Sequence, residues 1–265
     1  MMMPIIYAAL SLGIMGLLFG IILAFASKIF AVEVDERIPR IADCLPGANC
    51  GGCGFAGCNA LAGSIVEGTA AVNACPVGGS ACAEKIADIM GVAVAGGEQM
   101  VAHVMCCGND DCAHKKCEYV GIDDCLSAMR FAGGDKECTY GCCGLGTCVE
   151  TCQFDALHII NGVAVVDKKK CVACGACLKV CPRNLISLVP AKGLVHVECM
   201  NKDKGAEAKN VCDKACIGCM ICQKNCPSQA ITVENFKAVI DYSKCVNCGI
   251  CVEKCPRKCI QLESN

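Results

Sequence analysis

The sequence has no tryptophan, and aromatic residues make up only 4% of its 265 positions. A core built on large aromatic side chains is thereby excluded. Positive charge is missing ahead of the first apolar stretch, where only MMMP stands, so a spanning helix is expected there rather than a cleaved signal peptide. No Ser, His and Asp arrangement and no paired carboxylate stands out, so covalent and acid-base catalysis have no support. What is abundant is cysteine, 31 residues, beside 28 glycines. Cys, Gly and Ala take many positions that large apolar side chains would otherwise fill, and inorganic clusters are a material that fills such an interior.

Ile5 to Ala26 is uncharged and apolar. As a helix it would be roughly 33 Å long, against roughly 30 Å of hydrocarbon in a bilayer. It reads as a single transmembrane helix within 1–27. Lys28, Arg37 and Arg40 follow it, so the positive-inside rule places the bulk of the chain in the cytoplasm, at the cell membrane. That compartment is reducing, which favours metal ligation over disulfides.

From residue 138 onward the chain repeats at an offset of 74. Cys138, Cys142, Cys148, Cys152, Cys171, Cys174, Cys177 and Cys181 fall on Cys212, Cys216, Cys222, Cys226, Cys245, Cys248, Cys251 and Cys255. In the second copy CIGCMICQKNCP and CVNCGICVEKCP each follow the C-x2-C-x2-C-x3-C-P run of two-cluster ferredoxins, in which the fourth Cys serves the other cluster. The expected sets are Cys216, Cys219, Cys222 with Cys255, and Cys245, Cys248, Cys251 with Cys226. A tetrahedral zinc site is the alternative for any C-x2-C pair but does not explain paired runs of four.

In the first copy Cys171, Cys174 and Cys177 pair with Cys152 in the same way. The run ahead of them is irregular, because Leu145 stands where the second copy has Cys219. The cluster on Cys142, Cys148 and Cys181 therefore takes Cys138 or Cys143 as its fourth thiolate, or becomes a three-iron species. Cys138 is the expected ligand, since its spacing can return a side chain to the same side. Against it, Cys212 holds the equivalent position in a copy that needs no extra ligand. Asn161-Gly162 marks a hairpin between the runs.

Upstream, Cys50, Cys53, Cys58 and Cys75 have the spacing C-x2-C-x4-C-x16-C, with a helix expected over Asn59 to Glu67. Gly52 to Gly57 match G-x-G-x-x-G, but no strand precedes them and a Cys sits inside, so no NAD or flavin site is expected in this chain. The helix, then CGGCGFAGC with its distant CPVGG, then tandem ferredoxin modules resemble the B subunits of Rnf electron-transport complexes, over essentially the whole chain. That resemblance implies an electron-transfer subunit of an ion-translocating ferredoxin:NAD oxidoreductase. Its partners would be soluble ferredoxin and the membrane, flavin and NADH-binding subunits, with no nucleic acid. The alternative is a polyferredoxin subunit of a membrane hydrogenase.

The expected fold is a string of small α+β iron-sulfur domains. A transmembrane helix (1–27) leads to a 4Fe-4S cysteine-loop and helix domain (28–95) and a Cys-rich linker (96–134). Ferredoxin-like two-cluster modules follow at 135–190 and 191–265. Five [4Fe-4S] clusters are expected, with a candidate sixth near Cys106, Cys112, Cys117 and Cys125. His103, His114, His158 and His196 read as packing residues, although HVMC at His103 echoes HVEC at His196.

Charge divides the chain: residues 28–157 carry 8 Lys+Arg and 17 Asp+Glu, residues 158–265 carry 16 and 9. A basic C-terminal module, with Lys224, Lys254 and Arg257, would attract an acidic ferredoxin in a salt-dependent way.

Overall fold

The computed structural model describes residues 2–29, 35–94, 96 and 98–263. Helix α1 (Met2–Ile29) is the expected apolar segment, and its described side chains from Ile6 to Phe25 are exposed on every side. A helix apolar all round needs lipid or protein about it. Helices α2 (Arg37–Cys44), α3 (Cys58–Val66) and α4 (Gly79–Met90) then pack around Ile41, Leu61, Ile65 and Ile86. Helix α3 is the one expected over 59–67. Asn49 fixes its start, the Oδ1 atom accepting from the Cys58 amide at 2.8 Å, so the cysteine loop before it is tied to the helix it precedes.

The first module contains β1 (Met100–Val104), α5 (Cys125–Arg130), α6 (Thr147–Glu150), β2 (Leu157–Ile160), β3 (Val163–Val166), α7 (Ala176–Val180) and β4 (Ile186–Pro190). The second contains β5 (Val195–Val197), α8 (Gly205–Val211), α9 (Ile221–Lys224), β6 (Ile231–Glu234), β7 (Lys237–Ile240), α10 (Ile250–Lys254) and β8 (Ile260–Leu262). Each has an inner hairpin, β2–β3 or β6–β7, and an outer antiparallel pair, β1–β4 or β5–β8. The hairpin expected at Asn161-Gly162 is present, with φ of 48° and 73°, the left-handed pair that matches the strands' twist.

The 96–134 segment, expected as a linker, carries β1, whose Val101 lies opposite Val189 of β4. Strand pairing in the first module therefore reaches back to Met100. A lone two-stranded hairpin is marginal in water, and the outer pair supplies further buried surface, Val101 and Val189 both being 1% exposed.

His103 and His196 mark equivalent points in β1 and β5, separated by 93 residues, whereas the modules repeat at 74 from Cys138 onward. The first copy thus holds 19 more residues between its outer strand and its cluster loops, and α5 lies within them. The two histidines stack on each other across the module boundary, ring centroids 4.0 Å apart. His196 is wholly buried, with Nδ1 2.8 Å from the Tyr242 hydroxyl and Nε2 3.2 Å from the Lys168 ammonium. Glu263 pairs with Lys168 and lies 3.3 Å from His103 Nδ1. Burial opposes the Glu263 carboxylate, but His103, His196 and Lys168 outweigh it and hold its pKa well below the usual range.

Glu263 therefore ties β8 of the second module to β1 and Lys168 of the first. Glu263→Gln is expected to destabilise the intact protein by roughly 2–3 kcal/mol, as for a partly buried ion pair that loses one member. Anaerobic thermal unfolding would show it as a drop of several degrees, while Glu234→Gln on the exposed hairpin leaves the midpoint in place.

Candidate iron-sulfur sites

The cysteine loops are shaped by the hairpins above them. Gly218, at φ 64°, lies so close to the second hairpin that a Cβ there would sit 3.0 Å from the Phe236 Cα. At the equivalent Gly144, φ 75°, it would sit 2.4 Å from the Gly162 carbonyl oxygen. Only glycine permits both the left-handed backbone and that approach. The hairpin so closes the loop against Cys142 and Cys148 in one copy, Cys216 and Cys222 in the other.

In the second module Cys216, Cys219, Cys222 and Cys255 line one hollow, which is the crossed grouping expected. Cys226, Cys245 and Cys248 surround Cys251, whose pKa is pushed up to about 11 by burial and then by these three neighbours. In the first module Cys152, Cys171, Cys174 and Cys177 line the corresponding hollow. In the N-terminal domain Cys53 and Cys58 both act on Cys75, whose pKa is raised mainly by burial. Cys50 lies toward the first module and adds to the rise at Cys174.

Several sulfurs accept hydrogen bonds and others donate them. Cys75, Cys152, Cys171, Cys181 and Cys226 accept backbone amides, from Gly78, Ala156, Ala102, Leu185 and Ala230, at 3.3–3.4 Å. Cys82 and Cys112 instead donate, to the Cys44 carbonyl at 3.1 Å and to Asn109 Oδ1 at 3.0 Å. An amide pointed at sulfur favours thiolate, and a thiol pointed at oxygen is neutral. Burial first, and then the neighbouring cysteines, disfavour thiolate, pushing Cys148 up to about 12 and Cys222 to about 11. Ferric and ferrous iron would offset that cost, so hollows lined by four converging sulfurs, several of them accepting amides, fit iron-sulfur clusters.

The irregular hollow differs from what its spacing suggested. Cys142, Cys148 and Cys181 line it, and the further cysteines at its wall are Cys125 and Cys143. Cys138 is not there; it lines a separate hollow with Cys106, Cys199 and Cys212. Cys125 comes from α5, in the 19-residue insertion. Asp124 caps that helix by accepting from the Ser127 amide at 2.7 Å, and Thr147 bridges to it, donating to Asp124 Oδ1 and accepting from the Cys125 amide at 2.8 Å. The Cys125 sulfur is thereby set against Leu145 and Thr147, with its pKa lowered to about 5 by the Cys143 thiol first and then by Thr147 and the Leu145 amide. Cys143 is correspondingly raised by the same bond.

The grouping of Cys106, Cys112, Cys117 and Cys125 is not formed. Cys106 and Cys125 belong to different hollows, Cys112 bonds Asn109, and Cys117 is exposed. Spacing missed Cys125 because the insertion has no counterpart in the second copy. For Cys106 and Cys199 a signal existed in the HVMC and HVEC echo.

Three family models match the chain: an Fe-S cluster family over residues 45–77, a 4Fe-4S binding domain over 164–187 and a 4Fe-4S dicluster domain over 215–259. Among curated proteins, the B subunit of the Na(+)-translocating ferredoxin:NAD(+) oxidoreductase complex of Acetobacterium woodii is 52% identical, over 88% of this chain and 70% of its own. The B subunit of the ion-translocating oxidoreductase complex of Methanosarcina acetivorans is 43% identical over 87% and 88%. That of the proton-translocating ferredoxin:NAD(+) oxidoreductase complex of Clostridium ljungdahlii is 42% identical over 87% and 82%.

Cys125→Ser is expected to disturb the irregular site alone. Iron content should fall by about one to four atoms, with a three-iron EPR signal when the remaining thiolates retain part of the cluster. Cys143→Ser should keep the iron. The opposite pattern would give the ligand role to Cys143.

Proposed function

The chain belongs to the family of B subunits of ion-translocating ferredoxin:NAD(+) oxidoreductase complexes, and we propose that it is the membrane-anchored iron-sulfur relay that takes electrons from reduced ferredoxin toward the membrane and flavin-bearing subunits. A bound [4Fe-4S] cluster supplies one-electron transfer without bond making, at a potential set by burial, net charge and hydrogen bonds to sulfur. The chain's residues do the holding and spacing. Four sets follow the expected ligands: Cys50, Cys53, Cys58, Cys75; Cys152, Cys171, Cys174, Cys177; Cys216, Cys219, Cys222, Cys255; and Cys226, Cys245, Cys248, Cys251. The fifth is Cys142, Cys148 and Cys181 with Cys125 in place of Cys138.

The observation that carries the relay reading is the contact between the N-terminal loop and the first module. A Cβ on Gly52 would lie 2.6 Å from the Cys174 carbonyl oxygen, so the backbone between Cys50 and Cys53 touches a ligand of the next site. Sites built for storage need no such adjacency. The matched 45–77 domain and α1 favour this reading over a hydrogenase polyferredoxin. With Lys28, Arg37 and Arg40 following α1, the helix would cross once and leave the modules in the cytoplasm. Relatives named for Na+ and for protons cover similar shares of the chain, which points to the other subunits for ion choice.

In the second module Cys219 and Cys248 are exposed beside the exposed apolar residues Met220 and Val246, with Lys224 and Lys254 exposed nearby in sequence. This is the face we assign to ferredoxin. Arg257 is not part of it, because its guanidinium donates to the carbonyls of Cys212 and Ala215. Bound clusters add about two negative charges each, so the lysines must act locally.

Charge reversal of Lys224 and Lys254 together should slow electron delivery from ferredoxin by roughly tenfold at low salt, with the difference vanishing near 0.5 M salt. Stopped-flow reduction of the intact complex measures it. Rates indifferent to both salt and reversal would move ferredoxin to another face.

A further inference from the structure

Between the two modules lies a hollow that none of the five ligand sets uses. Cys106, Cys138, Cys199 and Cys212 are at its wall, and it is of the same size as the hollows of the Cys142, Cys216 and Cys171 groups. We infer that Cys106, Cys138, Cys199 and Cys212 hold a sixth [4Fe-4S] cluster at the junction, two ligands from each module. The inference rests on the relay reading of the other sites and adds a member to it.

The four residues form two symmetry-related pairs. Cys106 and Cys199 each follow a stacked histidine by three residues, and Cys138 and Cys212 are related by the 74-residue repeat. The loop of each second pair member is clasped alike: Arg183 donates to the carbonyls of Cys138 and Gly141, Arg257 to those of Cys212 and Ala215. The sulfurs are close together. A methyl on Gly108 would lie 3.5 Å from Cys106 Sγ and 3.6 Å from Cys212 Sγ, and one on Gly141 would lie 3.5 Å from Cys138 Sγ and 3.8 Å from Cys106 Sγ.

Donors point at these sulfurs as they do at the other ligand sets. Cys106 accepts from the amides of Gly108 and Cys142 at 3.4 Å, Cys199 from the amide of Cys216 at 3.2 Å, and Cys138 from the Asn201 side chain at 3.6 Å. Lys136, 2% exposed, donates to the Gly108 and Gly162 carbonyls and brings a buried positive charge to the same wall. Cys107 also borders the hollow, but it falls outside the two pairs, since the position equivalent to it in the second module is Met200. Zinc would draw four sulfurs to about 2.3 Å from a single ion, whereas this hollow matches the three cluster-sized ones. Its position adds a functional reason: Cys142 and Cys216, whose amides reach Cys106 and Cys199, are themselves ligands of the flanking sites in the two modules.

The test is metal and sulfide analysis with EPR on the anaerobically purified full chain. The wild type should hold about 24 iron atoms, and Cys199→Ser and Cys106→Ser about 20 each, with one spin system lost and the others kept. Cys107→Ser should stay at about 24. A wild type with about 20 iron atoms, a serine variant that keeps them all, or one zinc per chain would overturn the sixth cluster and leave the relay intact. A chain without any iron would instead overturn the relay. The wild-type count decides the matter even where a variant fails to fold.

Discussion

The structure depends on one constraint, the cost of placing anionic sulfur where water is scarce. Burial drives the thiol pKa of Cys148, Cys177, Cys222 and Cys251 to about 11 or 12. Amides, a few side chains and iron are what can offset it. This explains the shape of the modules, in which tight loops, single-turn helices and hairpins turn backbone N–H groups toward sulfur instead of burying large side chains. It also explains why aromatics are so few: the space they would fill is taken by the hollows.

In the first module Leu145 stands where the second copy has Cys219, and the insertion between β1 and the cluster loops brings Cys125 to the hollow of Cys142, Cys148 and Cys181 through the Asp124–Thr147 contacts. Cys259 Sγ lies 3.7 Å from Cys255 Sγ, and Cys143 borders the hollow that Cys125 lines. Hydrogen bonds to a cluster sulfur are one means by which sites built from one repeat would differ in potential.

The junction between the modules is unusual in being polar and ionic at its edge. The His103–His196 stack, Lys168 and Glu263 lock β1, β5 and β8 together beside Cys106 and Cys199. The three described acidic and imidazole groups that approach metal-ligand spacing here, His103, His196 and Glu263, already have the Lys168 ammonium among them. That cation occupies the electrostatic role a metal would have, and the cluster reads as a fastening between modules.

The apolar run of α1, the 74-residue repeat, the Asn161-Gly162 turn and the crossed cysteine runs were all legible in sequence, because each is a local pattern whose physics acts within a few residues. Four-thiolate sets with regular spacing belong to the same class. The fourth wall of the irregular site, the pairing of β1 with β4 and the meeting of Cys106 and Cys138 with Cys199 and Cys212 join residues far apart in the chain. Spacing carries no information on such contacts. They were decided only when the two copies packed against each other and the insertion folded back over the first, bringing distant sulfurs to the same low-dielectric space.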